Sequence, residues 1–145
     1  MIILEGTDAV GKTSVIHNIN GYNIVDRDKY ISSLIDFKIP LIDRVKKLTK
    51  YLNSINDIVI FLINNDKIEL ERRIHLREEI DEYDKYTYLY NLLYLETYIY
   101  MEQNNLLENK LYMVDCTGLN IEEETNEVKR VINHAKYSST HGSSK

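Results

Sequence analysis

The stretch that decides the fold is Gly6-Thr-Asp-Ala-Val-Gly-Lys-Thr13, which fits the pattern G-x-x-x-x-G-K-[ST] without a mismatch. An apolar run, Ile2 to Leu4, leads into it, and apolar residues at helical spacing follow it. In this pattern two glycines let the backbone turn so that consecutive N–H groups face phosphate oxygens. A helix beginning near Lys12 adds the positive end of its dipole. The sequence therefore predicts a nucleotide-phosphate site, a P-loop, between a buried strand and a helix.

The pattern gives the residues of this loop separate roles. Lys12 would reach the β- and γ-phosphates of ATP, and the hydroxyl of Thr13 would be a ligand of Mg²⁺. The loop residues predicted to bind ATP are Gly6, Thr7, Asp8, Ala9, Val10, Gly11, Lys12, Thr13 and Ser14. The simpler alternative is a glycine turn with an exposed lysine. The strand before the motif and the amphipathic helix after it favour the phosphate site.

Length and composition predict one domain. The chain has 145 residues, of which 43% are hydrophobic, enough for a single core. We place a single P-loop kinase domain at residues 1–136 and predict a disordered polar tail at 137–145. The net charge of -5 argues against binding to nucleic acid or to an anionic membrane. No apolar run approaches the roughly 18 residues of a membrane span.

Two residues bear on the compartment. Glu5 interrupts the N-terminal apolar stretch, so we expect no signal peptide. The single cysteine, Cys116, excludes an internal disulfide framework and is typical of a core residue in a reducing environment. These features favour a cytoplasmic protein. The motif at residues 6–13 predicts that its partner is a small-molecule nucleotide. The sequence leaves the oligomeric state open, a homodimer included.

Apolar patterns alternate between strand and helix periods along the chain. Strands are predicted at 2–4, 22–26, 57–64 and 110–115, and helices from residue 12, at 28–36 and 41–52, from residue 65 or 66, and at 83–104 and 121–135. This alternation predicts an α/β, P-loop NTPase-like three-layer fold with a small parallel sheet of about four strands flanked by helices. Ligands of such sheets bind at the carboxyl ends of the strands.

The order of motifs resembles the thymidylate kinase family. Leu4-Glu-Gly-Thr-Asp-Ala-Val-Gly-Lys-Thr13 is similar to the family's opening, E-G-x-D-x-x-G-K-[ST], and Asp26-Arg27 with Ser32-Ser33 is similar to its D-R-Y…S-S segment. The segment 70–77 resembles the start of the family's lid, and Val114-Asp-Cys-Thr-Gly118 resembles its last strand and nucleotide loop. Deoxynucleoside kinases share this layout, and Asp8 favours the thymidylate kinase side.

The resemblance implies a kinase that moves the γ-phosphoryl group of ATP, with Mg²⁺, to a deoxynucleoside monophosphate such as dTMP. It implies that Arg27 clamps the acceptor phosphate, that Asp26 holds the metal through water or orients the acceptor, and that Asp8 binds the sugar 3′-hydroxyl. Thr117 and Gly118 would contact ATP. The alternatives are a surface ion pair for Asp26 and Arg27 and a loop-stabilising carboxylate for Asp8.

Three arginines fall in the lid segment, and the resemblance implies that one or two of them are catalytic. They are Arg72, Arg73 and Arg77. Their spacing prevents all three from sharing one helical face. The alternative is a solvated helix face on which the arginines pair with neighbouring glutamates.

Seven tyrosines lie between Tyr83 and Tyr100, five of them on one helical stripe. Amphipathic core packing with hydroxyls at the rim is one interpretation. The other is that Tyr86 and Tyr90 bind the acceptor by stacking on its base.

One departure from the family concerns the acceptor side. In both kinase families several tens of residues precede the Asp-Arg strand and shape the acceptor pocket, whereas few residues separate Asn20 from Asp26 here. Two alternatives to a monophosphate kinase therefore stay open. One is a deoxynucleoside kinase, and the other is a degenerate ATP-binding module without acceptor turnover.

Overall fold

The computed structural model describes residues 2–7, 10–19, 24–26, 38–76 and 86–141; the side chains of 25–26 and 137–141 are outside that description. The predictions for Asp8, Ala9, Arg27 and Arg77 and for a helix at 28–36 lie outside the described residues. The elements are β1 (Ile2–Gly6), α1 (Lys12–His17), β2 (Ile24–Asp26), α2 (Leu41–Ser54), β3 (Ile58–Ile63), α3 (Lys67–His75), α4 (Thr87–Gln103), β4 (Leu111–Asp115) and α5 (Ile121–His141).

The four strands form one parallel sheet in the order β2-β1-β3-β4. All of β1 is buried, and so is β3 except for its first residue, as expected of aliphatic strands covered on both faces. The predicted α/β class, with a small parallel sheet flanked by helices, is confirmed. From β1 the chain passes first to β2 on one side and then to β3 on the other. The strand order therefore reverses at β1, where ligands of open α/β sheets bind.

Helices cover both faces of the sheet, because successive strand residues point to opposite sides. Phe61 packs against α2 and α4, and its ring meets Tyr94 edge-on with centroids 4.9 Å apart. Its neighbours Ile60 and Leu62 face α1 and α5 on the other side. The result is a three-layer arrangement in which β1 and β3 form the centre of the core.

Several helix ends differ from the predictions, and the helix predicted at 41–52 extends to Ser54. The first helix ends at His17 with Asn18 as its C-cap, although the sequence predicts that Gly21 closes it. Helix α5 continues to His141, five residues into the predicted disordered tail. No proline or glycine occurs between Ile121 and Gly142, so the chain has no local signal to stop earlier. Among the described residues, no helix is long and apolar enough to cross a membrane.

Candidate functional site

Residues 6–13, the loop that the motif predicts to bind phosphate, are called the phosphate loop below. Both of its glycines occupy positions that only glycine fits. A Cβ on Gly6 would lie 2.6 Å from the backbone oxygen of Leu62, because the loop starts in close contact with β3. Gly11 has φ +111°, a left-handed conformation that is strained for residues with a side chain, and it is the N-cap of α1. The close contact at Gly6 and the left-handed backbone at Gly11 thus fall at the two glycine positions of the motif.

The side chain of Lys12 folds back across this loop. Lys12 is 5% exposed, and its Nζ donates a hydrogen bond to the carbonyl oxygen of Gly6. A turn closed by the N–H of Val10 and the carbonyl of Thr7, at 3.4 Å, forms part of the same loop. Thr13 and Ser14 are exposed in the first turn of α1. A single ammonium group therefore lies inside a loop that ends in two accessible hydroxyls.

A buried hydrogen bond joins the phosphate loop to the start of α4. The hydroxyl of Thr7 donates to the carbonyl oxygen of Thr87 at 2.6 Å. Tyr86, the N-cap of α4, is half-buried beside this contact. Tyr90, one turn further on, is 6% exposed and belongs to the core between α4 and the sheet. Both tyrosines predicted to bind the acceptor thus belong to this core or pack against it, and Tyr86 directly precedes Thr87, the residue that contacts the loop.

The two described arginines of α3 have different surroundings. Arg72 is exposed and forms a bidentate pair with Glu69, at 2.8 and 2.6 Å. Arg73 also pairs with Glu69, at 3.0 Å, but its Nη1 lies 3.5 Å from the carbonyl oxygen of Val10 in the phosphate loop. These pairs lower the pKa of Glu69 to about 2. The structure thus directs Arg73, and not Arg72, toward the loop.

A carboxylate that the sequence did not single out lies under the same loop. Glu124, in the first turn of α5, is completely buried, and a Cβ on Gly11 would collide with its Oε2. Its Oε1 is 3.9 Å from Nη1 of Arg73. Burial raises the pKa of Glu124 to about 7, and Arg73 only partly offsets this rise. The available signal was periodicity, since Glu124 shares a helical stripe with Val128 and Ile132.

Polar contacts hold the ends of β3 and β4 together beside this loop. Thr117 accepts a hydrogen bond from the N–H of Asn65, at 2.9 Å, and donates one to Asp115, at 2.6 Å. The buried amide of Asn91 accepts from the N–H of Asn64, at 2.8 Å. Gly118 has φ +76° with open space where a side chain would be. The predicted ATP contacts Thr117 and Gly118 are therefore exposed on a loop fixed to β3.

Cys116 lies between these loops and α5. The thiol is completely buried, and burial followed by the nearby Glu124 raises its pKa. The side chain therefore packs as a small apolar residue, as its sequence context predicted, and carries no thiolate at neutral pH.

The residues present can be tested for a magnesium ion. Mg²⁺ is usually bound through one or two protein oxygens together with phosphate oxygens and water. The exposed hydroxyl of Thr13, beside Lys12, fits such a ligand. Asp26 ends β2, with its Cα paired to Leu4 of β1, at the same edge of the sheet. No group of three His, Cys, Asp or Glu side chains within the described ranges could hold a metal without phosphate.

The comparison with known proteins gives no assignment, since the chain matches no protein-family model and no curated protein. The site is thus defined by its own geometry. At the carboxyl end of the central strand, the structure brings together the residues 6–7 and 10–13 of the phosphate loop, Arg73 of α3 and Glu124 of α5. The group combines the buried ammonium of Lys12, the half-buried guanidinium of Arg73 and the exposed hydroxyl of Thr13, which is a chemistry suited to phosphate.

Proposed function

We propose that this protein is a P-loop kinase that transfers the γ-phosphoryl group of ATP to a deoxynucleoside monophosphate of the dTMP type. The observation that carries the proposal is the position of the motif. The loop begins at the carboxyl end of β1, where the strand order reverses, and Lys12 lies folded inside it. Both motif glycines are required by the backbone there, which is what a phosphate-binding loop needs.

Transfer of the phosphoryl group needs positioned oxygens and neutralised charge more than covalent chemistry from the protein. The bond between the γ-phosphorus and the oxygen bridging it to the β-phosphate breaks, and its electrons stay on ADP. An oxygen of the acceptor phosphate forms the new bond. Lys12 would bind the β- and γ-phosphates, and Arg73 would reach the γ-phosphate from the side of α3 after leaving the carbonyl of Val10.

The proposed magnesium ligands belong to the same site. Thr13 would contribute its hydroxyl to Mg²⁺, and Asp26 would contribute a carboxylate through water. When bound, the ion would neutralise charge on the phosphate oxygens. The resemblance assigns the acceptor phosphate to Arg27, the sugar to Asp8 and a lid role to Arg77. These roles are proposed on the motifs alone.

The acceptor side supports a second candidate function. Only residues 18–23 connect α1 to β2. The segment that shapes the acceptor pocket in thymidylate and deoxynucleoside kinases therefore has no counterpart in that connection. A module that binds ATP without passing on its phosphoryl group is therefore the second candidate. A deoxynucleoside kinase, whose acceptor is a hydroxyl without phosphate, is distinguished from both by its acceptor.

The test is ADP release from Mg·ATP in the presence of each deoxynucleoside and each deoxynucleoside monophosphate. We expect stimulation by one or more monophosphates. Lys12→Ala should lower that rate roughly 100-fold, as expected when a group that stabilises transferring charge is removed. Lys47→Ala, which removes an exposed charge on α2, is the matched control and should leave the rate within about twofold.

The other outcomes separate the candidates. Stimulation by nucleosides alone would identify the deoxynucleoside kinase. Binding of Mg·ATP without stimulation by any acceptor would identify the binding module. Failure to bind Mg·ATP or Mg·GTP at millimolar concentration would overturn the P-loop assignment itself. Arg27→Ala with unchanged acceptor kinetics would remove Arg27 from the mechanism.

A further inference from the structure

Three consecutive glutamates begin α5, and only the third points inward. Glu122 and Glu123 are exposed, and Glu123 forms a reciprocal cap with Asn120, with hydrogen bonds of 3.1 and 2.8 Å. Glu124 is completely buried beneath the phosphate loop. Neither of its oxygens accepts a hydrogen bond from any residue in the described part of the chain. Burying a carboxylate without hydrogen bonds costs free energy, so its presence at this position calls for an explanation.

The surroundings of Glu124 connect it to the loop in two ways. Its Oε2 takes the space that a side chain on Gly11 would need, so the carboxylate lies directly against the loop backbone. Its Oε1 is 3.9 Å from Nη1 of Arg73, and the same Nη1 is 3.5 Å from the carbonyl of Val10. Arg73 therefore bridges the buried carboxylate and the loop.

We propose that Glu124 is a positioning residue that acts through Arg73 and Gly11, and that gain or loss of its proton changes how the phosphate loop binds an anion. This inference rests on the proposed phosphate-binding function. When Glu124 is ionised, it holds Arg73 beside itself and Glu69 and adds one negative charge below Gly11. When Glu124 is protonated, that charge and its attraction for Arg73 are absent, so less energy is needed for Arg73 to turn toward a bound phosphate.

The groups around Glu124 decide the direction of the effect. From α3, Arg73 is the cation that faces it and favours the ionised form. From the loop after β4, the buried thiol of Cys116 is neutral. Asp115, at the end of β4, and Glu127, one turn further along α5, add negative charge near that thiol. In the phosphate loop, the ammonium group of Lys12 is hydrogen-bonded to Gly6. Burial outweighs the cation and raises the pKa of Glu124 to about 7, so its proton exchanges near neutral pH.

The sign of the coupling follows from charge. A bound triphosphate places negative charge beside the Glu124 site and favours the protonated carboxyl, so it should raise the pKa of Glu124 further. By linkage, the protein should bind Mg·ATP more tightly below about pH 7 than above it. If the bound anion raises that pKa by about one unit, Kd should rise by about tenfold across the transition.

The experiment compares the wild-type chain with Glu124→Gln and Glu122→Gln. The second variant removes an exposed charge from the same helical turn and is the matched control. The Gly11 amide and the Arg73 Nε–H are followed by nitrogen-15 NMR from about pH 5.5 to about pH 8.5, with and without Mg·ATP, and Kd is measured over the same range. We expect both resonances to titrate together in the wild type and in Glu122→Gln, and to stay fixed in Glu124→Gln.

We expect the Kd for Mg·ATP to rise about tenfold more with pH in the wild type than in Glu124→Gln. Comparison with the variant removes the contribution from titration of the nucleotide itself. An equal pH dependence in the two proteins, or unchanged titration of Gly11 and Arg73 in Glu124→Gln, would overturn the inference. Loss of Mg·ATP binding by all three proteins would overturn the proposed function separately. The nucleotide-free titration would then still decide whether Glu124 controls Gly11 and Arg73.

Discussion

The hydroxyl of Thr7 donates a 2.6 Å hydrogen bond to the carbonyl oxygen of Thr87, and both side chains are almost completely buried. The bond joins the phosphate loop to the first residue of α4, a helix that begins 80 positions later in the chain. The loop is thus fixed at one end by β1 and at its side by α4. We expect this contact to contribute to both folding and the rigidity of the loop.

Replacing Thr7 by valine, which keeps the shape of the side chain but removes the donor, should lower the free energy of unfolding by about 1 kcal/mol. Thr7→Ser keeps the hydroxyl and is the control. Urea unfolding monitored by circular dichroism measures the difference between the two midpoints. Equal midpoints for valine and serine would show that the hydrogen bond adds nothing to stability.

Gly11→Ala should be more damaging than Gly118→Ala, although both glycines have positive φ. The strain of a left-handed residue, about 1 kcal/mol, is common to both. Only at Gly11 does the new methyl group also meet a buried carboxylate, that of Glu124. We expect a total cost of about 2–3 kcal/mol at Gly11 in denaturant unfolding. Combining Gly11→Ala with Glu124→Ala should remove part of the extra cost, and strictly additive effects would contradict the contact.

The stability of the protein should depend on pH through Glu124. Its pKa in the folded state, about 7, is above the ordinary value of 4.5, so the folded chain binds the proton more tightly than the unfolded chain. The resulting stabilisation is complete below about pH 4.5 and is lost as the pH rises through 7. The loss should reach up to about 3 kcal/mol.

Other groups titrate in the same range, so the measurement is the difference between wild type and Glu124→Gln. Thermal or urea unfolding at several pH values between about 4.5 and 8 gives it directly. The difference should grow steadily in favour of the variant as the pH rises. A difference that stays constant with pH would show that the carboxyl titrates at its ordinary value in the folded protein.

Arg73→Gln should impair phosphoryl transfer, whereas Arg72→Gln should not. Arg73 reaches the carbonyl of Val10, while Arg72 is exposed and occupied by Glu69. We expect kcat to fall by a factor of ten or more for the first variant and to stay within about twofold for the second. Steady-state ADP release with the best monophosphate acceptor measures both. The reverse ranking would indicate that α3 rotates before transfer and presents its other face.

The sheet could be predicted because its strands carry their own signal. Ile58–Ile63 is an unbroken aliphatic and aromatic run rich in β-branched residues, and such a short run is typical of a strand buried on both faces. The ends of the helices were less predictable. Asn18 is the C-cap of α1, and α5 continues to His141 because no proline or glycine occurs in it before Gly142. Helix ends are in general defined only to within one or two residues.

The residues of the site likewise fall into a group that could be predicted from the sequence and a group that could not. Gly6, Gly11 and Lys12 were predictable, because the constraints on them come from neighbours in the motif. Glu124 and Thr87 were not, because they reach the loop through contacts between distant parts of the chain. A run of three glutamates at the start of a helix is ordinarily a solvated first turn that complements the helix dipole. Its spacing relative to Val128 was the only indication that one member turns inward.

The shortness of β2 has a consequence for local opening of the sheet. Three residue pairs join β2 to β1, compared with five between β1 and β3 and five between β3 and β4. Amide hydrogens at this edge should therefore exchange with solvent through small fluctuations, while those of β1 that face β3 exchange only when the whole domain unfolds. Because Asp26 ends this strand, a ligand that binds to it would selectively slow amide exchange at Ile24 to Asp26. Exchange rates of these three amides would then measure how much of the protein has ligand bound.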